Sequence, residues 1–289
     1  MKILNRPLAS IPYIDRHRAI VNAKNNTIDG KINLTKQNLL GLDNQVASRY
    51  RDFELAIQNN QLFSFIESPT LKLNKDELLG CYTGYTKRVK EIFKLIKDNQ
   101  TPGFLKRCPY CGVTIPKTHD HYLPESKFPE LAVHALNLIP CCSSCNQTKS
   151  HNWKNATHRT FIYFYSDTIP AERFINIQLY FSTNGDSIGA KFSINKPPNV
   201  SDDHWNIISS HYDKLGLIDN YNEIVNDEIT EIFQICLSHI RNGGVNLNNF
   251  ILGLVTHEES TYGSNHWKVI LLNALAGSPR FKKMVTDAA

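Results

Sequence analysis

Hydrophobic positions follow two rhythms along this chain. Residues 84–98, GYTKRVKEIFKLIKD, carry Val89, Ile92, Phe93 and Ile96 at i, i+3, i+4 and i+7. That spacing puts four apolar side chains on one face of a helix. Residues 37–66 also look helical, with interruptions, after a turn-like stretch at 25–33 (NNTIDGKIN). The rhythm changes at FIYFY (161–165), INIQLYF (175–181) and AKFSI (190–194), which are rich in β-branched and aromatic residues and separated by Pro170 and Asn184-Gly185. Such runs predict antiparallel strands. Pro197-Pro198 marks a break, and the helical pattern returns at 205–217, 222–241, 247–255 and 266–275. The expectation is an α+β chain in four segments: a mainly helical region at 1–100, a cysteine-rich module at 101–155, antiparallel strands at 156–200 and a helical region at 201–289.

Composition narrows the class. Of 289 residues, 41% are hydrophobic and 20% charged, with 14 Gly and 13 Pro, values that exclude a mainly disordered or collagen-like chain. The apolar run at 250–255 is among the longest, far short of the ~18 residues a membrane helix needs. The opening MKILNRPLASIPYIDRHR has no apolar core before Pro7 and Asp15, unlike a secretory signal. A soluble, cytoplasmic protein without a membrane partner is expected. The net charge of +5 is uneven: residues 1–50 hold 8 Lys/Arg against 3 Asp/Glu, and 201–289 hold 6 against 11. A basic front and an acidic back fit a polyanion on one side of the molecule.

The cysteines add chemistry. Five of the seven lie between 108 and 145. The odd count, without an export signal, argues against a disulfide framework. Cys108-Pro-Tyr-Cys111 and Cys142-Ser-Ser-Cys145 are two Cys-x-x-Cys turns, each able to present two thiolates to one ion, together closing a tetrahedral structural Zn²⁺ site. Cys141 is an alternative to Cys142, since a three-residue spacing also serves zinc. Cys81 and Cys236 sit in apolar helical patterns and read as core residues.

Between and after these pairs stand DHYLP (120–124), NLIP (137–140) and CSSCNQTK (142–149). From Cys108 to Lys149 the chain resembles the HNH nuclease family, whose ββα-metal fold gathers a His–Asn–His or His–Asn–Asn constellation around one divalent ion. The resemblance implies a zinc-stapled ββα-metal module between helical flanks. It also implies hydrolysis of phosphodiester bonds, which needs an activated water and charge stabilisation at phosphorus. In that scheme His121 is the general base, and Asp120 and Asn146 offer oxygen ligands suited to Mg²⁺ or Mn²⁺. Asn137 ties the hairpin and orients His121, and Lys149, three residues beyond Asn146, reaches a phosphate oxygen. His119 reads as a strand neighbour of His121; His134, His151 and His158 match no motif.

Lys87, Lys90, Lys94 and Lys97 stripe a second face of the 84–98 helix. This is either a solvated surface or a nucleic-acid-binding face. The resulting expectation is an HNH endonuclease acting on nucleic acid, DNA before RNA. Its size and helical arms resemble effector subunits of bacterial anti-phage systems, some paired with an ATPase. The alternative is a catalytically idle zinc module that binds nucleic acid or protein.

Overall fold

The computed structural model describes residues 1–8, 10–183 and 187–289. The protein is mixed α+β, mostly helical, and among the described residues its strands form three two-stranded antiparallel sheets. No described helix is long and apolar enough to cross a membrane. The chain divides into two compact units, one of Ile3–Asp167 and the other of Thr168–Ala289 together with Met1–Lys2.

The first unit opens with α1 (Tyr13–Asn22) and a hairpin of β1 (Thr27–Ile28) and β2 (Lys31–Ile32). Helices α2 (Leu34–Gly41), α3 (Asp43–Gln58), α4 (Pro69–Lys72), α5 (Lys75–Leu79) and α6 (Lys87–Asp98) follow. Helix α1 packs against α3 and α6, and Val46, Tyr50 and Phe53 of α3 are buried. Helix α6 buries Val89, Ile92 and Ile96 as its spacing predicts. Phe93 is only half-buried and stacks on His119, with ring centroids 4.0 Å apart. The helix cannot begin before Thr86, because Gly84 and Tyr85 have φ of +85° and +47°, outside helical space. The Thr86 hydroxyl caps the Val89 amide.

Strands β3 (Thr118–His121) and β4 (Leu138–Cys141) form the central hairpin of this unit, and α7 (Ser143–Lys149) follows and packs on β3. The register pairs Thr118 with Cys141 and His121 with Leu138. The strand expected at 161–165 is absent. All five residues of FIYFY are buried, so there is no in–out alternation and the segment threads the interior as irregular chain. Its polar groups are satisfied without a ladder. The Tyr163 and Tyr165 hydroxyls donate to the Leu136 and Leu138 carbonyls at 2.8 and 2.9 Å, the Tyr163 amide donates to Asp167, and the Leu4 amide donates to Phe164.

In the second unit, β5 (Ile175–Phe181) and β6 (Ile188–Ile194) pair in register from Ile175↔Ile194 to Phe181↔Ile188. The turn expected at Asn184-Gly185 lies outside the described residues. Helices α8 (Asp202–Lys214), α9 (Leu217–Arg241), α10 (Leu247–Tyr262), α11 (Trp267–Ala276) and α12 (Pro279–Asp287) follow. Helix α9 covers β6 and α11 covers β5. Gly216, at φ +59°, separates α8 from α9. Helix α12 has no counterpart among the expected elements; Ser278 caps it and Pro279 starts it, the order that favours a helix start.

Candidate functional site

Two knuckles meet beside the β3–β4 hairpin. In the first, the Gly112 amide donates to the Cys108 carbonyl at 2.7 Å, and Gly112 has φ +69°, a conformation that suits glycine. In the second, Cys142 is the N-cap of α7, its sulfur accepting from the Cys145 amide at 3.4 Å. The Cys142 amide donates to the Cys108 sulfur at 3.3 Å. All four sulfurs of Cys108, Cys111, Cys142 and Cys145 lie within 4.8 Å of one another, and all four residues are buried. Tetrahedral zinc with Zn–S near 2.3 Å needs sulfurs about 3.8 Å apart, so the donor set and spacing are consistent with a structural zinc. Four buried thiols this close would not ionise together without a cation. Cys141 is outside the cluster. It lies in β4 with its sulfur 3.4 Å from the Thr118 hydroxyl, which makes Cys142 the member of the second pair. Cys81 and Cys236 are buried elsewhere, and burial pushes both thiols up to about 11.

Asp120 sits in β3 with its carboxylate almost wholly buried. Its Oδ2 accepts from the Tyr110 hydroxyl at 2.7 Å, and the Lys149 ammonium lies 2.9 Å from Oδ2 and 3.1 Å from Oδ1. Lys149 also donates to the His121 carbonyl at 3.0 Å. The side chain expected to reach a phosphate is therefore 0% exposed. Desolvating an ammonium is costly unless it is paired, and α7 points this one inward, against a carboxylate and a carbonyl. Lys149 positions Asp120 and the β3 backbone.

His121 is fixed from both sides. Its Nε2 lies 2.9 Å from the Ala132 carbonyl, which can only accept, so Nε2 carries the proton and Nδ1 is the basic nitrogen. Nδ1 lies 3.2 Å from Glu125 Oε2. Burial holds the His121 pKa below the usual histidine value despite the opposing pull of Glu125, so the ring is neutral at pH 7. The Tyr82 ring meets His121 edge-on at 4.6 Å. Asn137 is fully buried beneath: Oδ1 accepts from the Leu123 amide at 2.8 Å, and Nδ2 donates to the Leu123 and Leu131 carbonyls. It thereby clamps the loop whose Ala132 carbonyl holds His121.

Asp120, His121 and Asn146 line one cleft of about 430 Å³. Asn146 is half-buried on α7. His119 lines the same cleft, with burial and the neighbouring His121 lowering its pKa to about 4. Among the described residues no second group of three or more His, Cys, Asp or Glu is close enough to hold an ion. The carboxylate and amide oxygens that line the cleft belong to Asp120, Glu125 and Asn146.

Several cleft residues carried no motif signal. Tyr82 and Tyr85, Glu125, Ser150 and His151 all line it. Glu125 was accessible in principle, standing four residues after His121. His151, which matches no motif in the sequence, lines the cleft directly after Ser150, whose φ of +48° and ψ of −129° is a conformation costing a non-glycine ~1–3 kcal/mol. His134 is fully buried, between Glu54 and the Leu136 amide, and His158 bonds in an exposed turn with Asn155 and Thr157. The stripe lysines are all exposed on α6, and Lys94 pairs with Asp98 one turn on.

Against known proteins, no family model matches this chain and no solved structure matches it. Protein ea31 of Escherichia phage lambda is 28% identical over 105 residues, covering 33% of this chain and 36% of ea31. The similarity to that phage protein is thus confined to about a third of each chain.

Proposed function

We propose that the chain is a metal-dependent endonuclease of the HNH type, hydrolysing phosphodiester bonds of DNA. The observation that carries this reading is His121: a neutral imidazole with one nitrogen locked on a carbonyl, in the same cleft as Asp120 and Asn146. The hairpin followed by α7, stapled by the cysteine cluster, supports it further.

In this mechanism Nδ1 of His121 takes a proton from the attacking water, and Glu125 stabilises the imidazolium that forms. Asp120 and Asn146 would hold Mg²⁺ or Mn²⁺; hard oxygen donors suit these ions, which keep several waters and take few protein ligands. When bound, the ion supplies charge stabilisation at the phosphate and the leaving oxygen. Tyr110 and Lys149 hold the Asp120 carboxylate in place, and Asn137 holds the loop under His121. On the resemblance of motif and size, the biological role is that of an effector subunit in anti-phage defence with an ATPase subunit as partner.

One observation favours the rival reading of an idle zinc module: the Asp120 carboxylate is already engaged by Tyr110 and Lys149. Incubating zinc-loaded protein with circular DNA and with RNA separates the two readings, alone and with any ATPase encoded beside it. Cleavage that needs Mg²⁺ or Mn²⁺ and stops on chelation supports the nuclease; folded protein that cuts neither substrate under any of these conditions supports the idle module.

A further inference from the structure

We infer that the substrate strand is unpaired where it crosses this protein, leaving the cleft along an adjoining groove that binds single-stranded DNA. The inference rests on the nuclease reading for its placement of the cut, but the groove itself stands on separate observations.

A second depression of about 620 Å³ adjoins the cleft, and the two share Thr118 and His119. Their common wall is the stacked pair Phe93–His119, 7° from parallel. The groove is lined by Lys94, Lys97 and Lys117, with Asp98 the opposing charge. Of the α6 stripe it takes two lysines; Lys87 and Lys90 are not among its lining residues. Apart from Thr118 and His119 its remaining walls are apolar, with Leu105, Ile115 and Pro140 beside Phe93, and Ile115 is 60% exposed. At the cleft itself Tyr85 leaves 53% of its surface in solvent.

Lysines alone would suit any polyanion. Lysines interleaved with apolar and aromatic walls suit a polyanion that also presents flat apolar faces. A duplex keeps its bases stacked inside and shows a protein mainly phosphates and groove edges, so apolar walls gain little from it. An unpaired strand offers phosphates and base faces together, the combination that lysines and aromatic platforms bind without sequence preference.

The test uses the full chain, zinc-loaded, in buffer without other divalent metal. Binding of a fluorescent 20-nucleotide DNA is compared with binding of the same sequence as a duplex, across a salt series. The single strand should bind about tenfold more tightly, and the combined Lys94→Gln, Lys97→Gln, Lys117→Gln variant should weaken it while lowering the log–log salt slope by roughly 0.7 per lost contact. The Lys87→Gln, Lys90→Gln variant is the control on the same helix and should bind as wild type does. Equal or tighter duplex binding overturns the inference, as does a groove variant that binds like wild type while keeping its zinc and helical circular dichroism. Adding Mg²⁺, with and without the ATPase encoded beside it, separates the two claims: tight single-strand binding through the groove without cleavage in either case upholds the groove and defeats the nuclease.

Discussion

The Tyr110 hydroxyl donates to Asp120 Oδ2 at 2.7 Å. Tyr110 stands between Cys108 and Cys111, so the first knuckle of the cysteine cluster reaches the buried side of a carboxylate that lines the cleft. The second knuckle does the same through α7, which carries Cys145 near its start and Lys149 at its end. Both arms of the cluster thus converge on one carboxylate, and the staple and the candidate metal ligand form one buried polar network.

That network predicts an asymmetry between breaking and replacing. Lys149→Met leaves the Asp120 carboxylate buried beside Tyr110 without its cation, and removing one partner of a buried pair costs about 3–5 kcal/mol. The double variant Lys149→Met, Asp120→Leu removes both charges and should recover most of that loss. Urea unfolding of the three proteins checks this. A single variant as stable as wild type would mean that the pair contributes nothing to the fold.

The cysteines make a sharper prediction. Cys142→Ser should abolish zinc retention and cooperative unfolding, because structural zinc contributes directly to folding free energy. Cys141→Ala removes a small buried group and should keep one zinc per chain. Elemental analysis of the purified variants decides, and zinc lost from Cys141→Ala would contradict the geometry of β4.

Acid should weaken the first unit in a defined window. His17 is 2% exposed, neither ring nitrogen has a hydrogen-bond partner among the described residues, and burial lowers its pKa to about 4. The unfolded chain binds this proton near pH 6.5 and the folded chain does not, so the unfolded state holds more protons between those values. Stability is therefore flat above about pH 6.5 and falls as the pH drops towards 4, by on the order of 3 kcal/mol for this one group. His17→Phe should flatten the fall seen by thermal unfolding from pH 7 to 5, since Phe carries no proton to gain.

The legible parts of the chain were those governed by local periodicity or fixed spacing. Helix α6 followed from Val89, Ile92 and Ile96, and the cysteine cluster from two matched turns. FIYFY was misread because burial on every side looks, in sequence, like a strand; only the tertiary contacts of Tyr163 and Tyr165 show why no ladder forms. The choice between Cys141 and Cys142 depended on which way each side chain leaves β4, a matter of register against Thr118. Lys149 was placed correctly on its helix, but whether that face met solvent or Asp120 depended on packing. Tyr82 and Tyr85 lie nearly forty residues from the motif and reach the cleft only through the turn at Gly84.

The most direct measurement is endonucleolytic cleavage of a circular single-stranded DNA by wild type and His121→Ala in Mg²⁺, at matched zinc content and matched unfolding midpoint. His121 is the proton acceptor in this account, so wild type should convert circles to linear product, and His121→Ala should lose about 10²–10⁴-fold in rate. Wild-type rates from the His121→Ala protein would contradict the assignment.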